Sequence, residues 1–382
     1  MNFDYDEEQQ LLADSVRRFA QKGYEFEARR KIIASDEGFS PKAWSTLAEM
    51  GLLGLPFSPD CEGFGGGAVD MMSVMEAIGE ALMVEPYLPT VGLAAQFVAR
   101  GGSEAQKKAI LPKVVAGELK MAFAHGEKAA RYDLAHVATA ANKAGNGWQL
   151  DGEKCVVLGA PLADQLVVSA RTAGKTGEAK GISLFLVERK AAGLALKPYR
   201  TLDGLRAADV VLKGVKVGAE ALIGAEGGAL ALIEEVTDFA TALVCAEAVG
   251  AIKYANDATL EYLKTRKQFG VPIGTFQALQ HRMVDMVISL EQARSMACLA
   301  CSKVDHEKDS AERRRAVSAA KIRVSDACRH VSQEAVQLHG GMGMSEELKV
   351  SHTFRRLTMI ALQFGDADHH LARFAAIPAK GA

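Results

Sequence analysis

The chain has 382 residues, 49% of them hydrophobic and 24% charged, with a formal net charge of -2. That length exceeds what one small core organises, so two or three domains are expected, and the near-neutral charge argues against a nucleic-acid groove or a polybasic membrane surface. No apolar run approaches the ~18 residues of a membrane span, the acidic opening leads to no secretory core, and six scattered cysteines make no disulfide framework, so a cytoplasmic protein with free thiols is expected.

In chain order, Leu11, Leu12, Val16 and Phe19 recur at helical spacing between Tyr5 and Lys22, behind acidic residues and ahead of basic ones, as the helix dipole favours. A second helix is expected from Ser40-Pro41 to about Gly51, with Ser as cap and Pro in the first turn. The Gly- and Pro-rich stretch Pro56 to Gly67 reads as a loop. Asp70 to Leu82, Gly92 to Arg100 and Ser103 to Ala116 read as helices, the last stopped by Gly117.

The pattern then changes to short runs enriched in Val, Leu, Ile and Phe. They are Gln149-Leu150, Lys154 to Leu158, Gln165 to Ala170, Gly181 to Val187, Leu194 to Pro198 and Asp209 to Val217. Closely spaced strands with no helix between them predict an antiparallel barrel or sandwich. Long helices follow at Ala229 to Arg266, Gln277 to His306, Ala311 to His339 and Glu346 to Leu362, with a last one near Ala367 to Ala375. Their lengths and apolar stripes predict a four-helix bundle. The expected plan is therefore an α+β multidomain chain: a helical domain over 1–117, a small β domain over 118–225 and a helical bundle over 226–382.

Two local patterns are decoys. Gly63-Phe64-Gly65-Gly66-Gly67-Ala68 fits a dinucleotide fingerprint on paper, but no strand precedes it and no βαβ unit surrounds it. Cys298 and Cys301 form C-x-x-C inside a helix without a second pair at zinc spacing, and read as core thiols. His369-His370 also lacks partners at ligand spacing and reads as a helix-surface or interface feature, so no metal site is expected.

Three segments carry more information. The opening Phe3-Asp4-Tyr5-Asp6-Glu7-Glu8-Gln9, the stretch Thr265 to Ile273 followed by Phe276-Gln277-Ala278-Leu279-Gln280, and Gln337-Leu338-His339-Gly340-Gly341-Met342-Gly343 resemble, in order and at suitable separations, segments of the acyl-CoA dehydrogenase family. The resemblance covers essentially the whole chain and implies FAD as cofactor and an acyl-CoA as substrate. Electron-transfer flavoprotein follows as electron acceptor by family analogy. Arg266, Phe269, Gln277, Gln280, Gln337, Gly340, Gly341 and Gly343 are the expected flavin-contacting residues. A guanidinium suits a pyrophosphate, and glycines let a cofactor approach the backbone. In the family this arginine reaches the flavin of a neighbouring subunit, so an oligomer is expected.

The same resemblance exposes two departures. The family's glutamate base stands at one of two places, and here those positions match Phe364 and Ala240. Glu247 and Asp366 are the remaining carboxylate candidates, Glu247 needing a partner such as Lys253 or the backbone if buried. Hydroxyl donors to the flavin ring are also missing, because the corresponding turn and strand read Ala124-His125-Gly126-Glu127 and Val156-Val157-Leu158-Gly159. Such losses resemble the smaller subunits of two-gene dehydrogenases, the pimeloyl-CoA type among them, which act on dicarboxylic, steroid or other bulky acyl-CoAs beside a larger catalytic partner. Two alternatives stand beside this one: an active homotetramer with a displaced carboxylate, and a flavin-free binding protein on the same fold.

Overall fold

A computed structural model describes residues 6–378. Helices α1 (Glu7–Gly23), α2 (Phe26–Ala34), α3 (Pro41–Glu49), α4 (Ala68–Ala81), α5 (Ala95–Gly101) and α6 (Glu104–Val115) come first. Strands β1 (Met121–Ala124), β2 (Ala140–Ala144), β3 (Gly147–Leu158), β4 (Gln165–Arg171), β5 (Ile182–Glu188), β6 (Leu194–Arg200), β7 (Arg206–Val217) and β8 (Leu222–Ile223) follow. The chain then returns to helix in α7 (Leu230–Thr265), α8 (Gln277–His306), α9 (Ser310–His339), α10 (Lys349–Leu362) and α11 (Ala367–Ala376). The expected order of helical, β and helical parts is therefore present. No helix among the described residues is long and apolar enough to cross a membrane.

Contacts divide the chain into two compact units, one drawing on the chain up to Lys31, Gly67–Met83 and the chain from Thr241 onward, the other on Ile32–Gly66 and Val84–Ala240. The second unit is built on one sheet in the order β6-β7-β3-β2-β4-β5-β8, with β1 beside β4. Most neighbours are antiparallel, but β1 runs parallel to β4, with Ala124 opposite Val168. The described strands form no closed barrel. The inner face packs Leu150, Leu166, Val168, Phe185, Val187 and Val210, all buried. In β3 the ladder slips between Lys154 and Val157, where Val156 takes a φ of 52° and its N–H turns to Asp209 Oδ1, 3.1 Å away. A β-branched residue in that left-handed region marks a built bulge.

The first unit is a bundle of α7 from Thr241 onward with α8, α9 and α10, joined by α1, α4 and α11. The close approach of α4 and α7 has a plain cause. A Cβ on Gly250 would overlap the Glu76 carbonyl, and one on Gly79 would overlap that of Glu247, so the two backbones touch where only glycine fits. Several helix starts follow their sequence signals. Asp6 accepts from Gln9 N at 2.9 Å in a capping box, and Ser103 accepts from Gln106 N at 3.2 Å. The first helix begins at Glu7, and the Phe3-Asp4-Tyr5 part of the expected motif lies outside the described residues.

Candidate functional site

Arg266 closes α7, its N–H donating to Tyr262 O at 2.8 Å. A two-stranded hairpin follows, in which Val271 pairs with Gln268 and Pro272 with Lys267. Gly270 takes a φ of 81° and Phe269 a φ of 55° at the turn, and Phe269 is 90% exposed. Gly340, φ 59°, ends α9 and opens the Gly340–Met344 turn. The rings of Tyr262 and His339 stack at 4.5 Å. That stack fastens the end of α7 to the end of α9, so the Arg266 hairpin and the glycine turn leave from adjacent points of one unit. The two motifs, far apart in sequence, are brought together.

Arg266, Phe269, Gln277, Gln280, Gln337, Gly340 and Gly341 are exposed on the single chain, whereas Gly343 is buried against Val336. Gln280 Nε2 donates to Gly274 O at 2.8 Å, which shapes the hairpin's exit. Arg266 has no ion-pair partner among the described residues, and a Cβ on Gly340 or Gly341 would meet only open space. An unpaired guanidinium, an open stretch of glycine backbone and an uncovered aromatic suit an anionic dinucleotide with a planar ring. The groups present fit FAD.

The two candidate carboxylates are otherwise engaged. Glu247 is buried and takes a two-pronged bond from Arg356, at 2.6 Å from Nε and 2.7 Å from Nη2. Its partner is therefore not Lys253, which pairs with Asp257 at 2.6 Å on the exposed face of α7. Asp366 caps α11, accepting from His369 N at 2.8 Å. Ala240 is fully buried, and Phe364 sits at a φ of 61° in the turn between α10 and α11. That turn is held by Lys321, whose buried ammonium donates to the carbonyls of Ile360 at 2.9 Å, Ala361 at 3.0 Å and Gly365 at 2.9 Å. It satisfies the open end of α10 with charge of the favoured sign.

His370 corrects the surface reading of the histidine pair. It is buried, with Nε2 3.1 Å from Phe364 O and Nδ1 3.3 Å from Ser318 Oγ. Burial and the nearby Lys321 charge push it down to about 3, so it stays neutral. Cys298 and Cys301 are buried free thiols, and burial raises both.

Models of the acyl-CoA dehydrogenase N-terminal, middle and C-terminal domains match residues 6–118, 122–215 and 228–376. The chain belongs to the acyl-CoA dehydrogenase family. Members are oxidoreductases acting on CH–CH bonds, and the family binds FAD. Among curated relatives, the probable acyl-CoA dehydrogenase YngJ of Bacillus subtilis is 30% identical, covering 96% of this chain and 97% of its own. The caffeyl-CoA reductase-Etf complex subunit CarC of Acetobacterium woodii is 29% identical, covering 95% and 96%. Among solved structures, a chain of the ChsE4-ChsE5 complex from Mycobacterium tuberculosis superposes with a TM-score of 0.89 at 26% identity, covering 99% of this chain and 100% of that one. Within this family member, sequence reasoning missed one cluster, Glu127 with Lys154, Ser169 and His125. No motif signals Lys154 or Ser169, because the sheet register brings β3 and β4 to the turn after β1 that holds His125 and Glu127.

Proposed function

We propose that this chain is the base-lacking, FAD-binding subunit of a heteromeric acyl-CoA dehydrogenase, of the type acting on dicarboxylic, steroid or other bulky acyl-CoAs. One observation carries the reading. Neither family base position bears a carboxylate, and the two candidates, Glu247 and Asp366, are tied into an ion pair and a helix cap. A general base must reach the proton it removes with a free lone pair. Either residue would have to abandon a structural bond to act, which disfavours the displaced-base alternative.

In this reading Arg266 meets the pyrophosphate of a flavin bound by a neighbouring protomer, with Phe269, Gln277 and Gln280 beside it. Gln337 and the backbone of Gly340, Gly341 and Gly343 approach the dinucleotide. Bound FAD would supply a hydride acceptor for the substrate's β hydrogen. The homologous larger subunit contributes the glutamate that takes the α proton. Electron-transfer flavoprotein is the proposed electron acceptor, supported by the Etf complex named for the Acetobacterium relative. The ChsE4-ChsE5 likeness supports a two-gene assembly.

The test is to purify the chain alone and co-expressed with its larger homologue. FAD content near one per site and turnover only in the mixed assembly are expected; rapid acyl-CoA oxidation by the solitary chain refutes the proposal.

A further inference from the structure

The parallel register that sets Ala124 opposite Val168 carries His125 alongside Ser169. Beside them, Lys154 is fully buried, and its ammonium donates to Glu127 Oε1 at 2.7 Å, to Ser169 Oγ at 3.1 Å and to the His125 carbonyl at 3.2 Å. Glu127 also accepts from Thr139 N at 3.0 Å, from the Thr139 hydroxyl at 2.7 Å and from Ala138 N at 2.8 Å. The Ser169 oxygen is thus an acceptor for a cation. Its one hydrogen has a single remaining acceptor among the described residues, His125 Nδ1 at 2.9 Å.

A chain of donors of this kind decides a tautomer. With Nδ1 accepting, the ring proton belongs to Nε2. The imidazole is kept neutral, because burial first and then the Lys154 charge hold it down to about 3. The ring lies nearly flat on Phe123, with centroids 5.1 Å apart and planes 12° apart, and Phe123 in turn packs on Phe97 at 4.3 Å. Its orientation is fixed on two sides. Nε2–H has no hydrogen-bond partner among the described residues, and His125 is half-buried.

We infer that His125 is a positioning residue for the flavin ring, its Nε2–H donating to an acceptor atom at the ring's edge in place of the hydroxyl that this chain lacks. The inference rests on the flavin reading above and on the match of Ala124 to Glu127 with the family's flavin-side turn. The relay through Ser169 fixes which nitrogen donates. The stack on Phe123 fixes where it points.

The test uses the full chain in the assembly in which it binds FAD, comparing the parent with His125→Phe, His125→Gln and Ser169→Ala. His125→Phe keeps the stack and removes the donor, His125→Gln restores a donor, and Ser169→Ala frees the tautomer. FAD dissociation constants and the infrared carbonyl bands of the bound flavin are the readouts. His125→Phe should weaken FAD about five- to tenfold, the worth of one neutral hydrogen bond, and move a carbonyl band to higher frequency. His125→Gln should recover most of both effects, and Ser169→Ala should fall between. Unchanged affinity and bands in His125→Phe overturn the inference and leave the flavin reading standing. A parent assembly that binds no FAD overturns the flavin reading, and this inference with it. If His125→Phe does not fold, a weakened Ser169→Ala beside a near-parental His125→Gln supports the inference, and parental values in Ser169→Ala overturn it.

Discussion

Glu247 on α7 and Arg356 on α10 form a buried, two-pronged ion pair, with carboxylate oxygens 2.6 and 2.7 Å from the guanidinium nitrogens. The pair spans 109 positions of sequence and ties two helices of the bundle together. A carboxylate so held is a structural element, and its removal leaves a buried cation without its counter-charge.

Glu247→Gln should therefore cost about 3 kcal/mol of stability, the usual penalty for breaking a buried pair from one side. Urea unfolding followed by circular dichroism measures it. In the mixed assembly below its unfolding range, Glu247→Gln should retain turnover, whereas a residue acting as base would lose it by orders of magnitude.

Arg266→Ala should do the opposite. The side chain is exposed and makes no ion pair within the chain, so stability should stay within about 0.5 kcal/mol of the parent. FAD affinity should fall roughly tenfold to a hundredfold, the worth of a charge-assisted bond. Flavin content after gel filtration and the unfolding midpoint, taken together, separate these effects.

The buried pair of the β sheet sets an acid limit. Burial alone would raise the Glu127 carboxyl, but the Lys154 charge and its hydrogen bond, with those from Thr139, outweigh it and bring the group from 4.5 down to about 2. A carboxyl lowered on folding contributes stability that is full above about pH 4.5 and is lost as pH falls toward 2. Urea midpoints between pH 5 and pH 2.5 should fall steeply in the parent. In Glu127→Gln they should start lower and fall less.

Gly250→Ala tests the helix crossing. The added methyl meets the Glu76 carbonyl oxygen, a backbone atom that cannot swing aside, so α4 and α7 must separate. Destabilisation of about 3 kcal/mol or more is expected, read as a lower melting temperature. Ala258→Gly, at a half-buried position of the same helix, should cost only about 1 kcal/mol, mostly helix propensity.

Most of the fold was legible because its long helices repeat their signal many times. The 36 residues of α7 and the 30 each of α8 and α9 carry apolar stripes that no short window can imitate. β1 and β2 escaped notice, since four or five residues of Ala, Met, Phe, Asn and Lys alternate too little to read as strands. α2 was equally silent, for its polar sequence hides a buried Arg29 that donates to Leu82 O, 53 positions away. The flavin-side motifs were readable as local strings. The partners that decide chemistry were not: Arg356 for Glu247, Lys321 for the Phe364 turn and Ser169 for His125 all come from distant sequence. Local pattern reports which residues face inward, but only the assembled backbone reports whom they meet.

The apolar strip of the Arg266 hairpin and α8 has a practical side. Phe269 at 90% exposure stands with Phe276, Val284, Val287 and Ile288, each at least 39% exposed. A net charge of -2 offers little electrostatic repulsion to keep two such surfaces apart. A solitary copy will cling to phenyl resin, salt out early and clump at high concentration while its helices remain intact. Yield from a bacterial host will accordingly track how fast that strip is covered after synthesis, more than how tightly each chain is folded.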